Sequence, residues 1–124
     1  MIVSELYDLK QYLTDKCKCN VGIGQQDLGS NQYPFIQILI DDNTELFHSN
    51  NKLNTIDFTT SLKIQVDKDN EIKAFEILER LILNIDNFNS QSGHYVVNIA
   101  PDYVDEIYEI NVSYVLKIII QNTN

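Results

Sequence analysis

The chain is poor in the residue types that catalytic, metal-binding and nucleic-acid-binding proteins depend on. Its 124 residues include two cysteines, two histidines, four glycines and no tryptophan, and nine basic residues stand against eighteen acidic ones, which gives a formal net charge of −9. Arg80 is the only arginine. Binding by neutralisation of phosphates needs clustered Lys and Arg, so this composition argues against a protein that grips DNA or RNA.

Long apolar runs are also absent. No run approaches the ~20 residues that a helix needs to span a bilayer. The first residues, Met1 to Glu5, have neither the basic nor the apolar region of a secretory signal. We therefore expect no membrane anchor and a protein made in the cytoplasm. The length predicts one domain over residues 1–124, and a hydrophobic fraction of 44% is typical of a folded protein.

The two cysteines, Cys17 and Cys19, are too close in sequence for a disulfide of relaxed geometry. A zinc site would need two further ligands. His48 and His94 are the only histidines, and both lie far from the pair in sequence. We expect two free thiols, no structural metal and no cofactor.

Two short motifs resemble ligand-binding loops without completing them. Residues 22–24 read Gly-Ile-Gly but lack the third glycine of a dinucleotide site and the lysine of a phosphate loop. Residues 67–71 begin like a calcium loop, yet an isoleucine occupies the required glycine position and a leucine the position of the bidentate acid. This segment is better explained as a helix start capped by Asp69 or Asn70. Since no nucleophile has a catalytic signature around it, we predict that the protein is not an enzyme.

Residues 56–66 alternate between apolar and polar side chains with a period of two. The in-phase positions, apolar except for one threonine, are Ile56, Phe58, Thr60, Leu62, Ile64 and Val66. This pattern predicts a β-strand over 55–67 with one buried and one wet face, as in an antiparallel sheet covered on one side. A similar alternation predicts a second long strand over 105–121.

The period changes to that of a helix after the polar break at 67–70. The predicted helix spans 70–87. Its predicted apolar stripe comprises Ile72, Phe75, Leu78, Leu81, Ile82, Ile85 and Phe88. Another helix is predicted over 4–16, with Ser4 as its N-cap and Glu5 in its first turn.

The remaining segments complete the predicted order. Residues 20–34 hold three of the four glycines, which indicates a long connection or a weak, twisted strand. Shorter predicted features are strands at 35–40, 45–48 and 95–100, a turn at 41–44, a loop at 49–54 and a break at 101–102. The fold class is therefore α+β: a single domain with a mostly antiparallel, twisted β-sheet packed by two α-helices, in the order α-β-β-α-β-β.

Two features are typical of interaction surfaces. Strands of about 11–15 residues exceed the usual length of five or six, and their edges would offer unpaired backbone groups to a second copy, although a curled sheet explains them equally well. The second feature is an acidic cluster beside the predicted break, which is either a solvated turn or a negatively charged rim or lumen. Its members are Asp102, Asp105, Glu106 and Glu109.

The order of elements resembles that of the tail terminator and tail-to-head joining proteins of long-tailed bacteriophages and prophages. The resemblance spans most of the chain. It is carried by YPFIQI at 33–38, DNEIKAFEILERL at 69–81 and EIYEINVSYVLKII at 106–119. It implies a virion protein of the head–tail junction that forms a hexameric ring, caps the tail tube protein and docks to the head-completion or connector protein. It implies no catalytic residues.

The resemblance and the length of the predicted strands together predict self-association. The contacts would involve the strands 55–67 and 105–121 and the segment 20–34. The predicted subunit-contact residues are Phe58, Thr60, Tyr108 and Tyr114. DNA would pass through the ring without specific binding, along a lumen lined partly by the acidic cluster. The alternative hypothesis is a small, non-enzymatic α+β domain, monomeric or dimeric, that binds a ligand or a protein. A small enzyme is the third hypothesis.

Overall fold

A computed structural model of the chain describes residues 2–24, 32–40, 48–50, 53–88, 95–96, 102–104 and 107–121. In chain order its elements are α1 (Ile2–Cys17), β1 (Asn20–Ile23), β2 (Phe35–Ile40), β3 (His48–Asn50), β4 (Leu53–Asp67), α2 (Glu71–Ile85), β5 (Tyr95–Val96), β6 (Asp102–Val104) and β7 (Ile107–Gln121).

The strands form one mixed sheet in the order β1-β2-β4-β7-β5, with β3 paired to β4 and β6 paired to β7. β1 and β2 are parallel, and the other described pairs are antiparallel. β4 and β7 pair along their whole length, from Leu53 opposite Gln121 to Asp67 opposite Ile107. The predicted α+β class, with a mostly antiparallel sheet and two helices, is confirmed.

Both helices pack on one face of this sheet. Alternate residues of β4 and β7 point into the core beneath the helices, because successive side chains of a strand point to opposite faces. The buried core residues of the two strands are Leu62, Ile64, Val66, Tyr108, Ile110, Val112, Tyr114, Leu116 and Ile118. The helices contribute Leu9, Leu13, Cys17, Ala74, Ile77, Leu78, Leu81 and Ile85. Removal of this apolar surface from water is the main term that stabilises the fold.

Helix α1 begins two residues earlier than its sequence predicts. Ile2 packs against the core, so the helix includes it, and Ser4 lies within the first turn and is not the N-cap. The helix ends at Cys17, and the next residue, Lys18, adopts the left-handed conformation with a φ of 54°. The Arg80 guanidinium then donates a hydrogen bond of 3.3 Å to the carbonyl oxygen of Cys17, a favourable cation at a helix C-terminus.

Helix α2 spans the predicted residues, but its buried face is rotated from the predicted stripe. Asn70 is the N-cap, as expected, without a capping hydrogen bond from its side chain. Leu78 and Ile85 are buried as predicted, whereas Ile72 and Phe75 are exposed, so placing these two in the core was wrong. The inward face is centred on Ala74, Ile77, Leu78 and Leu81, and Ile72 lies on the opposite side of the helix.

Several short strands occur where the sequence predicts loops or breaks. Within 20–34, where the sequence predicts either a long connection or a weak strand, residues 20–23 form the short strand β1, which pairs with β2. Most of the predicted loop 49–54 is strand, since β3 pairs with the beginning of β4. Asp102 begins β6 and does not break a strand. The predicted turn 41–44 and residues 97–100 lie outside the described residues. The observed order is therefore α-β-β-β-β-α-β-β-β.

Neither of the two helices in the described ranges is long and apolar enough to cross a membrane.

Candidate functional site

The acidic cluster predicted from the sequence includes two residues that the sheet brings together. Asp102 on β6 lies directly opposite Glu109 on β7. Glu109 is on the face of the sheet that points away from the helices, because its neighbours Tyr108 and Ile110 occupy the helix side. Asp105 and Glu106 lie outside the described residues.

Glu109 ends a chain of side-chain hydrogen bonds that crosses three strands. Gln37 on β2 donates through Nε2 to Oε1 of Gln65 on β4 at 2.9 Å. Gln65 in turn donates through its own Nε2 to Oε1 of Glu109 at 2.6 Å. Gln37 is buried, and Gln65 and Glu109 are half-buried. The two amides therefore hold the Glu109 carboxylate in a fixed position, since ionised acceptors make the stronger hydrogen bonds.

The next row of this face contains a buried acceptor. Lys63 lies opposite Gln37 on one side and Asn111 on the other. The Oδ1 atom of Asn111 is buried and has no hydrogen-bond partner in the part of the chain that the structure describes. The face thus presents amide, ammonium and carboxylate groups, which suit hydrogen bonding to a partner surface.

Tyr33 lies at the same end of this face. Burial raises the pKa of its phenol, and the carboxylates of Asp67 and Glu109 raise that pKa further. A negative neighbour disfavours the phenolate, so Tyr33 remains a neutral hydroxyl group. This end of the face therefore combines the Tyr33 hydroxyl group with the carboxylates of Asp67 and Glu109, and the Gln65 amide holds the second carboxylate.

The burial of three of the four predicted subunit-contact residues corrects that prediction. Thr60, Tyr108 and Tyr114 are at most 3% exposed and lie on the face covered by the helices, so they are core residues of one subunit and cannot contact another. Thr60 donates a hydrogen bond of 2.7 Å to the carbonyl oxygen of Tyr114 within that core. Phe58 is half-buried and packs against the same core, and its role as a contact stays a prediction.

The two thiols are free cysteines. Burial raises the pKa of Cys17 to about 11, although Arg80 lowers it. Burial, and after it the neighbouring Cys17, raises the pKa of Cys19 to about 12, against the effect of Lys73 and Arg80. Both thiols are therefore protonated near neutral pH and are poor nucleophiles and poor metal ligands.

The described residues contain no group of three or more His, Cys, Asp or Glu side chains that could hold a metal ion. The absence of a structural metal stays a prediction, because His94 lies outside the described residues and His48 is described by its backbone alone.

Sequence reasoning missed Gln37, Gln65 and Tyr33. The signal for Gln37 is a lone amide within the apolar strand 35–40. Gln65 and Glu109 each appear on the wet face of an alternating strand. What joins them is the register of β4 against β7, which the alternation alone does not determine.

Comparison with known proteins identifies no relative: no protein-family model matches the chain, and no curated protein matches it significantly.

Proposed function

We propose that this protein is a non-catalytic structural subunit that self-associates into a ring at the end of a bacteriophage tail tube. The ring joins the tube to the head connector and lets DNA pass. The proposal combines the sequence resemblance to tail terminator and tail-to-head joining proteins with one main observation, the length of the β4–β7 ladder.

The ladder is long for so small a domain. β4 and β7 have 15 residues each and pair throughout. At ~3.4 Å per residue, each strand spans roughly 50 Å. The helices of 16 and 15 residues reach only about 24 Å at 1.5 Å per residue. Each helix alone therefore reaches about half of the length of the ladder, and strand pairing of this length is suited to form part of a larger wall.

The ends of the sheet support a head-to-tail assembly. β1 and β5 terminate the strand order, and among the described residues no strand pairs with the outer side of β1. Unpaired strand edges are templates for a second chain, and a contact between two different edges closes into a ring when the rotation permits. We assign the predicted subunit contact of segment 20–34 to β1. Residues 25–31 of this segment lie outside the described residues.

The charge of the chain supports passage of DNA without retention. A net charge of −9 repels phosphate. Asp102 lies opposite Glu109 on neighbouring strands and adds a second acidic position at this edge of the sheet. We assign this acidic edge to the lumen.

Mass and shape in solution test the proposal. Light scattering after gel filtration, with negative-stain electron microscopy, should give rings, either for the purified protein alone or after addition of tail tubes as a template. A compact monomer under both conditions would favour the alternative, a small binding domain, and tails that carry no copy of this protein at their head-proximal end would contradict the proposal.

A strand-edge variant makes the test specific. The Gly24 N–H donates to the carbonyl oxygen of Ile38 at 2.8 Å, so the N–H of Ile23 points to the outer edge of β1. Ile23→Pro removes that outward donor and should abolish rings while the subunit stays folded. Ile23→Val keeps the donor and is the matched control. Rings formed equally by both variants would exclude β1 from the contact.

A further inference from the structure

Strand β7 has an edge that no described strand covers. On the side away from β4, β6 pairs with residues 107–109 of β7 and β5 pairs with residues 113–114. Among the residues that the structure describes, nothing pairs with residues 115–121 on that side, although they pair with β4 on the other side. This free edge of β7 (residues 115–121) therefore presents backbone N–H and C=O groups to a further strand.

The sequence of the free edge favours strand pairing. Residues 115–121 read VLKIIIQ, in which four residues are β-branched and one is charged. β-branched residues are enriched in strands, and a long apolar edge without a partner is a site of association between chains. We therefore expect another strand to cover this edge when the protein assembles.

Strand β1 offers a second edge at the other end of the sheet. Among the described strands it pairs only with β2, and the N–H of Ile23 points outward. A groove lies where α1 meets β1, lined by Lys10, Gln11 and Thr14 on the helix and by residues 20–22 on the strand. Helix α1 therefore leaves space beside β1, and a strand added there would continue the sheet.

Charge favours these two edges over the others. Two copies with a net charge of −9 each repel one another, so a contact between them is favoured where acidic side chains are absent. Neither β1 nor residues 115–121 contain an acidic residue, and the one charged residue among them, Lys117, is basic. By contrast, β6 begins with Asp102, and β3 and β5 have only three and two residues. The free edge of β7 is therefore the best match for β1 in the described part of the sheet.

We propose that the free edge of β7 in one copy pairs with β1 of the next copy, so that one sheet continues from subunit to subunit. This contact rests on the proposed ring and specifies which edges form it. The two edges are different, so the contact is head to tail and repeats around the assembly. Backbone hydrogen bonds hold the copies together, and the acidic edge at Asp102 is left out of the contact.

Cross-linking of the assembled protein tests this pairing. The diagnostic variant combines Asn20→Cys on β1 with Lys117→Cys in the middle of the free edge. Within one copy, position 20 is aligned through Phe35 and Gln65 with Glu109, eight residues from position 117. At ~3.4 Å per residue this separation is roughly 27 Å along the strands, so a short cross-link must join two copies.

The matched control combines Asn20→Cys with Asp102→Cys and tests the rival edge at β6. Both variants, and the wild type with its native thiols Cys17 and Cys19, are assembled alone or on tail tubes. Electron microscopy records the assemblies, and bismaleimidohexane then joins neighbouring thiols. Denaturing gels separate covalent oligomers from single chains, and mass spectrometry identifies the linked positions.

We expect rings in which the diagnostic variant gives covalent oligomers linked through positions 20 and 117, and no such oligomers from the control or the wild type. Rings without this cross-link, or equal cross-linking of the control, would overturn the pairing and leave the proposed function intact. Cross-linked open fibres in place of rings would support the pairing and contradict the ring. Absence of both assemblies and cross-links would contradict both.

Discussion

The hydroxyl group of Tyr12 donates a hydrogen bond of 2.7 Å to the carbonyl oxygen of Asn84 and so connects α1 to the last turn of α2. The ring of Tyr12 also lies 5.3 Å from that of Phe88, and the ammonium group of Lys16 lies 5.8 Å from the Tyr12 ring. One side chain thus makes polar, aromatic and cation–π contacts at the junction of the helices, which fixes how they sit on the sheet.

Tyr12→Phe should lower the free energy of unfolding by about 0.5–1.5 kcal/mol, because it removes one hydrogen bond and keeps the ring. The Asn84 carbonyl retains the N–H of Asn87 as a donor, so no buried acceptor is left unpaired. Tyr7→Phe, at an exposed position of the same helix, should cost less than about 0.5 kcal/mol. Urea unfolding of both variants measures the difference. Equal costs would mean that the Tyr12 hydrogen bond does not form in solution.

Leu78→Ala should destabilise the protein by about 2–5 kcal/mol, because it leaves a cavity beneath α2. Leu78 is 4% exposed, whereas Leu83 on the same helix is exposed. Leu83→Ala is therefore the matched control and should cost less than about 0.5 kcal/mol. Both values come from chemical denaturation. A larger loss of stability for Leu83→Ala than for Leu78→Ala would contradict the structure, because Leu83 would then lie on the buried face of α2.

The buried thiol of Cys17 should make stability fall at alkaline pH. The pKa of Cys17 rises in the folded protein from 9.0 to about 11. The unfolded chain therefore loses this proton first, so the free energy of unfolding decreases as pH rises from about 9 to about 11. Cys17→Ala should be less stable at neutral pH but should show a shallower decline over this range. An identical pH slope for wild type and variant would contradict the assignment.

Replacing the acidic residues at the sheet edge should create affinity for DNA. Glu109 accepts the hydrogen bond from Gln65 and is left unchanged. Asp102, Asp105 and Glu106 are replaced by Lys. Asp8, Asp15 and Glu79, which are exposed on the helices, are replaced by Lys in the control, which has the same net charge.

Gel-shift titration of assembled rings with linear duplex DNA, at several salt concentrations, compares the two variants. The edge variant should bind in a salt-sensitive way, because the proposed function places its new charges in the lumen, and charges interact with phosphate over a screening length of ~8 Å. Equal binding by the control variant would place the acidic edge on the outside of the ring.

The alternation of residues 56–66 and the second alternation near the end of the chain predict β4, β7 and their covered face, because one-sided burial dictates a period of two. The rotation of α2 is not predictable in this way. Ile72, Phe75 and Leu83 are apolar but exposed, so apolar character alone does not identify every residue of the buried side.

The candidate site depends on contacts that sequence patterns do not contain. In the sequence Asp102 directly follows Pro101 at a predicted break, and its position opposite Glu109 results from strand pairing. The length of the two amphipathic strands, joined to the family resemblance, predicts subunit contacts at Thr60, Tyr108 and Tyr114. The helices cover that face, and the Thr60 hydroxyl is accommodated by a backbone carbonyl.

The β4–β7 ladder also has a consequence for synthesis of the protein on the ribosome. Thr60 and Tyr114, near its middle, are 54 residues apart in the chain. β4 can pair with β2 early, but its other edge has no partner until residues 107–121 have been translated. During this interval, a nascent chain exposes a long amphipathic strand, which is the condition under which neighbouring polypeptides pair wrongly. Slow translation between α2 and β7 would lengthen that exposure, so the yield of folded protein should depend on the rate at which the ribosome traverses this stretch.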